Sequence, residues 1–147
     1  MKFIAIIPAI ITALFVSSAY AKCDGGSKTI FSCITAKGKQ IEVCDLGKSI
    51  EYSFGKPLLK PEIVVKVPRW KSSTHQWDGV GGMSYTVDIP NGKTIYTVYW
   101  EVDQYSEDHN ISGGVNVMVN NKYATTVKCL GENIEQNIEG IDLKPTE

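Results

Sequence analysis

Histidine is scarce in this chain: only His75 and His109 occur among 147 residues. A catalytic arrangement built on imidazole would depend on one of these two, and no spacing selects a Ser, Cys or Asp partner for either. The nucleophile-elbow pattern G-x-S-x-G is missing as well. Its nearest approach, Gly82-Met83-Ser84, carries Thr86 where the second glycine belongs and lies inside a strand-like run. There is no C-x-x-C pair and no Cys/His cluster at zinc spacing, so thioredoxin-type redox chemistry and a structural zinc are poor readings. No cofactor and no metal are expected, and these absences weigh against an enzyme.

Neither charge is in excess. Fifteen Lys and Arg face sixteen Asp and Glu, far from the dense basic footprint of nucleic-acid-binding proteins. Lys37 and Lys39 read as solvated turn residues. Beyond the first segment nothing is apolar enough to cross a membrane. Internal repeats, low-complexity blocks and amphipathic helices of ordinary length are also absent, which leaves a single β-rich domain.

What is present begins with MKFIAIIPAIITALFVSSAYA, residues 1–21. One charge at Lys2, an apolar run from Phe3 to Val16 and the A-x-A ending Ala19-Tyr20-Ala21 form the three parts of a secretory signal peptide. The apolar run is too short for a membrane anchor, which needs about 20 residues. Lys22, just before Cys23, is unsuited to a lipid-modified cysteine. Cleavage leaves residues 22–147, a chain of 126 residues with net charge −2, enough for one core. A soluble periplasmic or extracellular protein is expected, with no stable membrane insertion after cleavage.

In an oxidising compartment the four cysteines at 23, 33, 44 and 129 imply two disulfides, for which three connectivities exist. A turn in ITAKGKQIE centred between Gly38 and Lys39 sets Cys33 opposite Cys44 and leaves Cys23 for Cys129. The second bond would close a loop of about a hundred residues, worth roughly 4 to 5 kcal/mol in the chain-entropy picture.

From Thr29 onward, alternating or β-branched runs are separated by turn signals. They are TIFSCITA, QIEVCDL, SIEYSF, EIVVKV, GMSYTVDIP, KTIYTVYWEV, GVNVMVNN and KYATTVKCL. About eight short antiparallel strands in a sandwich or barrel are predicted. Asn91-Gly92 suits a type I′ hairpin, pairing Ile89 with Thr94, Val87 with Tyr96, Tyr85 with Val98 and Met83 with Trp100. That register gathers the bulky apolar groups, Trp100 included, on one face and leaves Ser84, Thr86, Asp88 and Thr97 on the other. A three-residue loop Asn120–Lys122 matches Val119 with Tyr123, Val117 with Thr125 and Val115 with Val127. In the polar tail, Ile134, Ile138 and Ile141 fit either a turn or two of helix ending near Gly140 or an extended segment.

Two stretches could carry function. PRWKSSTHQWDGVGG, residues 68–82, is long for a structureless connection. It holds Arg69, Trp70, His75 and Trp77, side chains that dominate contact energy at interfaces. A ring of this kind can also plug the core, and the expectation is one tryptophan in and one out. The acidic loop EVDQYSEDHN gathers Glu101, Asp103, Glu107, Asp108 and His109 beside Tyr105. It lacks the EF-hand order of acids, and the simpler reading is a solvated loop. Asn110-Ile111-Ser112 fits a glycosylation acceptor in a eukaryotic source.

In outline, an exported β-rich domain of this size with two disulfides resembles the small periplasmic inhibitors of lysozyme and the immunity proteins that protect bacteria from cell-wall hydrolases. The resemblance is architectural and carries over no site residue. It implies a binding protein acting through loop contacts, as an inhibitor or immunity protein, with a protein partner. The alternative is a cell-wall-glycan module whose Trp70, Trp77 or Tyr105 stack on sugars. A third reading is a hydrolase using Glu101, Asp103 or Asp108 with His109.

Overall fold

The computed structural model describes residues 23–131 and 133–147. The expected signal peptide, its cleavage site and Lys22 lie outside the described residues. The described residues form eleven strands: β1 (Lys28–Ile34), β2 (Gln40–Asp45), β3 (Ser49–Gly55), β4 (Ile63–Pro68), β5 (Ser73–His75), β6 (Met83–Asn91), β7 (Thr94–Val102), β8 (Ile111–Val119), β9 (Lys122–Lys128), β10 (Glu135–Gln136) and β11 (Lys144–Pro145). They form two sheets, ordered β10-β1-β2-β3-β4 and β11-β5-β6-β7-β8-β9. Every pairing is antiparallel except the short parallel contact of β11 with β5. The expected all-β architecture stands. β5, which lies inside the Trp70–Trp77 stretch after a 3-10 turn at Arg69–Lys71, was not foreseen, nor were the two short strands of the tail.

Each sheet buries the apolar half of its alternation. Ile41, Val43, Ile50 and Tyr52 of the first sheet meet Val87, Ile89, Val98 and Val115 of the second in one core. Tyr52 stacks on Tyr96 across the gap, with ring centroids 4.8 Å apart. Trp100 packs on Tyr85 from the same inner face.

The expected turns move, for identifiable reasons. The β6–β7 loop is Gly92-Lys93, so Asn91 pairs with Thr94, Ile89 with Tyr96, Val87 with Val98 and Tyr85 with Trp100. Gly92 has φ +61° and takes the first central position, where a type II′ turn demands glycine. The pairing shifts by two residues, so every side chain keeps its expected face. At β8–β9 the loop is Asn120-Asn121, both left-handed, as a type I′ turn requires. An irregularity beyond Met118 then restores the expected pairs of Val117 with Thr125 and Val115 with Val127.

The disulfide assignment is corrected. Cys23 joins Cys44 and Cys33 joins Cys129. The β1–β2 turn closes with Thr35 N–H donating to Lys39 O at 2.8 Å, which sets Cys33 opposite Ile41 rather than Cys44. An odd offset puts the two cysteines on opposite faces: Cys33 enters the core, whereas Cys44 points outward beside Glu42. Cys129 lies where the chain leaves one sheet for the other. Its N–H donates to Gly113 O of β8, and the next N–H, of Leu130, donates to Ile34 O of β1.

Among its described residues the tail is a belt and contains no helix. Asn137 N–H donates to Ile30 O on the first sheet, Ile138 is fully buried, and Thr146 N–H donates to Thr74 O on the second. Between them the Gln76 side chain donates to Ile138 O at 3.0 Å and accepts from Gly140 N–H at 2.8 Å.

Replacing Cys33 and Cys129 together by Ala should cost about 4 to 5 kcal/mol of stability, since the bond closes the longer loop; the Cys23/Cys44 pair should cost about 3 kcal/mol. Urea unfolding of the two double variants checks the order.

Candidate functional site

The structure does not gather the residues expected to bind. Arg69 is a clasp within the fold: its Nη1 donates to Asp45 Oδ1 at 2.7 Å and to Gly47 O at 3.3 Å, and its Nε donates to Asp142 O at 3.0 Å. Burial pushes the Asp45 carboxyl up, but the Arg69 and Gly47 hydrogen bonds and the charges of Arg69 and Lys28 outweigh it and hold the group below its ordinary value. Trp70 stands on the 3-10 turn, 70% exposed, with Lys71 Nζ 5.3 Å from its ring centre. Trp77 packs against the core and donates its indole N–H to Val80 O at 3.2 Å. One ring is therefore out and the other partly buried against the core.

His75 is exposed at the end of β5, and Tyr105 is 84% exposed in the β7–β8 loop. Ser73 pairs with Asp88 and His75 with Thr86, which sends Trp70 and Trp77 toward opposite ends of β6. Tyr105 follows Val102, the partner of Met83, and so shares the Trp77 end.

The acidic loop satisfies itself. Asp103 Oδ1 accepts from Tyr105 N–H at 2.9 Å, its carbonyl accepts from Ser106, and Glu101 accepts from Ser112 at 2.8 Å. Glu107, Asp108 and His109 are exposed. Among the described residues, the trio whose ligand atoms approach one another within 4.8 Å is Cys23, Cys44 and Glu42. Both of its sulfurs are engaged in their own disulfide.

That trio marks a groove on the outer face of the first sheet. Because Ile41 and Val43 point inward, Gln40, Glu42 and Cys44 point outward. Register sets Glu42 beside Ser32 and Ser53, and Cys44 beside Glu51. Gln40, Glu42, Glu51 and Ser53 floor a cavity of about 340 Å³, walled by Pro57, Leu58, Leu59 and Pro61 of the β3–β4 loop and bounded by Asp24 and Val64.

Gly55 allows the loop to fold back so closely. A Cβ there would lie 2.9 Å from Glu62 N and 3.0 Å from Pro61 Cα, and Glu62 N–H donates to Phe54 O at 2.8 Å. Leu58 sits at φ +63°, a left-handed conformation that costs a residue with a Cβ about 1 to 2 kcal/mol. Yet Leu58 is 72% exposed and Leu59 64% exposed. Leu58 takes this conformation at the third position of a turn closed by Leu59 N–H donating to Lys56 O at 3.3 Å, and backbone strain together with exposed apolar side chains clusters at functional sites.

The floor is electrostatically unusual as well. Burial first, and then the negative charges of Asp24, Glu135 and Glu51, push the Glu42 carboxyl up to about 7. Gln40 Nε2 donates to Glu42 Oε2 at 3.1 Å. Among the described residues no cationic side chain pairs with Glu42. Sequence reasoning missed this place because Glu42 and Glu51 look like the polar half of an ordinary alternation. The visible signal was KPLLKP at 56–61, where prolines bracket two leucines that neither a helix nor a central strand would accept.

Comparison with protein families, curated proteins and solved structures finds no match to this chain.

Two outcomes follow from the site's strain and charge. The folded-state value of Glu42, near 7, exceeds its ordinary 4.5, so the folded protein binds more protons between those values. Its contribution to stability therefore falls as pH rises through that window. Glu42→Gln should be more stable than the parent at pH 8, with the difference gone at pH 4, by urea midpoints. Leu58→Gly relieves about 1 to 2 kcal/mol of strain and adds about 0.5 to 1 kcal/mol of chain entropy cost. Thermal unfolding should show a net gain of about 0.5 kcal/mol.

Proposed function

We propose that this chain is an exported binding protein, periplasmic or extracellular, that docks a protein partner on the groove between β2, β3 and the β3–β4 loop. The observation that carries this reading is the exposed pair Leu58 and Leu59 on a strained backbone above a carboxylate floor. An apolar rim beside fixed polar groups is the usual composition of a protein-docking surface. Export is supported by the leading segment and by two disulfides, which persist in oxidising compartments. A sandwich tied at several points needs little reordering on binding, and this suits blockade of a partner such as a cell-wall hydrolase. Trp70, exposed at a distance from the groove, supports glycan stacking as the second reading.

Affinity capture from the exported fraction of the source cell, with the parent chain, Leu58→Asp/Leu59→Asp and Trp70→Ala as baits, separates the two. A stoichiometric protein recovered by the parent and by Trp70→Ala, and lost with the leucine variant, is the expected result. Retention on cell-wall glycan that disappears with Trp70→Ala, with no protein recovered, would overturn it.

A further inference from the structure

We infer that the groove is built to receive a basic side chain, arginine above all, carried next to an apolar residue on the partner's docking segment. This rests on the protein-binding reading above and specifies the chemistry of the partner.

The groups facing Glu42 can be taken element by element. Glu51 comes from β3, Glu135 from β10 and Asp24 from the segment tied down by Cys23. β1 offers the neutral Ser32. Two cations stand at the margin: Lys66 on β4, across from Glu51, and Lys56 at the cavity's edge. The three acids that line the cavity, Asp24, Glu42 and Glu51, outnumber these two bases, and neither lysine pairs with Glu42. Like charges assembled on a half-buried surface repel one another, and an arriving cation would relieve that repulsion.

Shape narrows the choice of cation. Glu42 lies opposite Ser53 and Glu51 opposite Cys44, so the two carboxylates are diagonal neighbours on adjacent strands, with a spacing of about 7 to 8 Å between Cα atoms. A planar guanidinium can donate to both at once, which an ammonium point charge does less well. Leu58 and Leu59 then cover the aliphatic stem and the neighbouring apolar residue. A cavity of about 340 Å³ is at the small end of binding clefts, which run from ~300 to 1,000 Å³, and fits side chains better than a large cofactor.

A bound cation holds Glu42 ionised, so binding near neutral pH must release a proton that binding at pH 8.5 does not.

The test uses the whole chain with both disulfides formed, and blocked leucine–arginine–leucine peptides in which the centre is arginine, norleucine or glutamate. Isothermal titration in two buffers of different ionisation heat reads both affinity and protons. The arginine peptide should bind at least ten times more tightly than the norleucine one, and the glutamate peptide should not bind. Glu42→Gln/Glu51→Gln should lose at least tenfold of the arginine preference while unfolding cooperatively. Proton release should appear at pH 6.5 and vanish at pH 8.5.

Equal binding of the arginine and norleucine peptides, retention of the preference in the double variant, or no binding of the arginine peptide at millimolar concentration would each overturn the inference. If affinity capture still yields a partner lost with Leu58→Asp/Leu59→Asp, the protein-binding reading survives that failure. If the capture fails while the peptides discriminate, the groove's chemistry stands and the biological partner is of another kind.

Discussion

The structure depends on keeping two sheets face to face, and the covalent element that enforces this is Cys33–Cys129. It sits at the crossing where one backbone stretch hydrogen-bonds to β8 through Cys129 and to β1 through Leu130. With that edge fixed, Phe31 and Ile41 can meet Val98 and Val115 without solvent between them. Elsewhere the belt of residues 137–146 does the same with hydrogen bonds, seating Ile138 in the core, and Arg69 holds the belt to the β2–β3 turn. A core of this size loses its hydrophobic gain if either sheet can swing away, which makes the connections between sheets more consequential than any single strand pair.

The rigidity obtained this way is what permits an unfavourable outer surface. Asp24, Glu135 and Glu51 each act on Glu42 as like charges, and Leu58 holds a left-handed backbone while exposed. A loosely held sheet would relax by letting the β3–β4 loop detach or by turning Glu42 toward solvent. Here Gly55 brings the loop against β3, and Cys44, two residues along β2 from Glu42, is bonded to Cys23. The stress of the groove is carried by the same covalent framework that secures the core.

How much of this was legible follows from the range of the interactions. The alternation of Tyr85, Val87 and Ile89 against Ser84, Thr86 and Asp88 reports the buried face directly, because side-chain direction has period two. Turn chemistry reported the place of each hairpin but left its register open, since Asn91-Gly92 is compatible with glycine in either of two positions. An offset of two left the β6–β7 faces intact, whereas an offset of three at the β1–β2 turn reversed the cysteines and the whole disulfide pattern. The roles of Arg69 and Ile138 were hidden for another reason. Each acts on partners far away in the chain, Asp45 and Gly47 in one case and the core in the other, and no local pattern announces such contacts. The groove was concealed because its acids, on separate strands, become neighbours only through pairing.

Asp24 borders the groove only because Cys23, one residue before it, is bonded to Cys44. Beside that bond, the segment has among the described residues a weak contact of Cys23 Sγ at 3.7 Å from Val43 O and the local turn of Ser27 on Asp24. Neither cysteine of this bond belongs to the core cluster, which Cys33 of the other disulfide enters. The acidic margin of the groove is thus completed by a covalent bond made outside the core, between Cys23 and the outer face of β2.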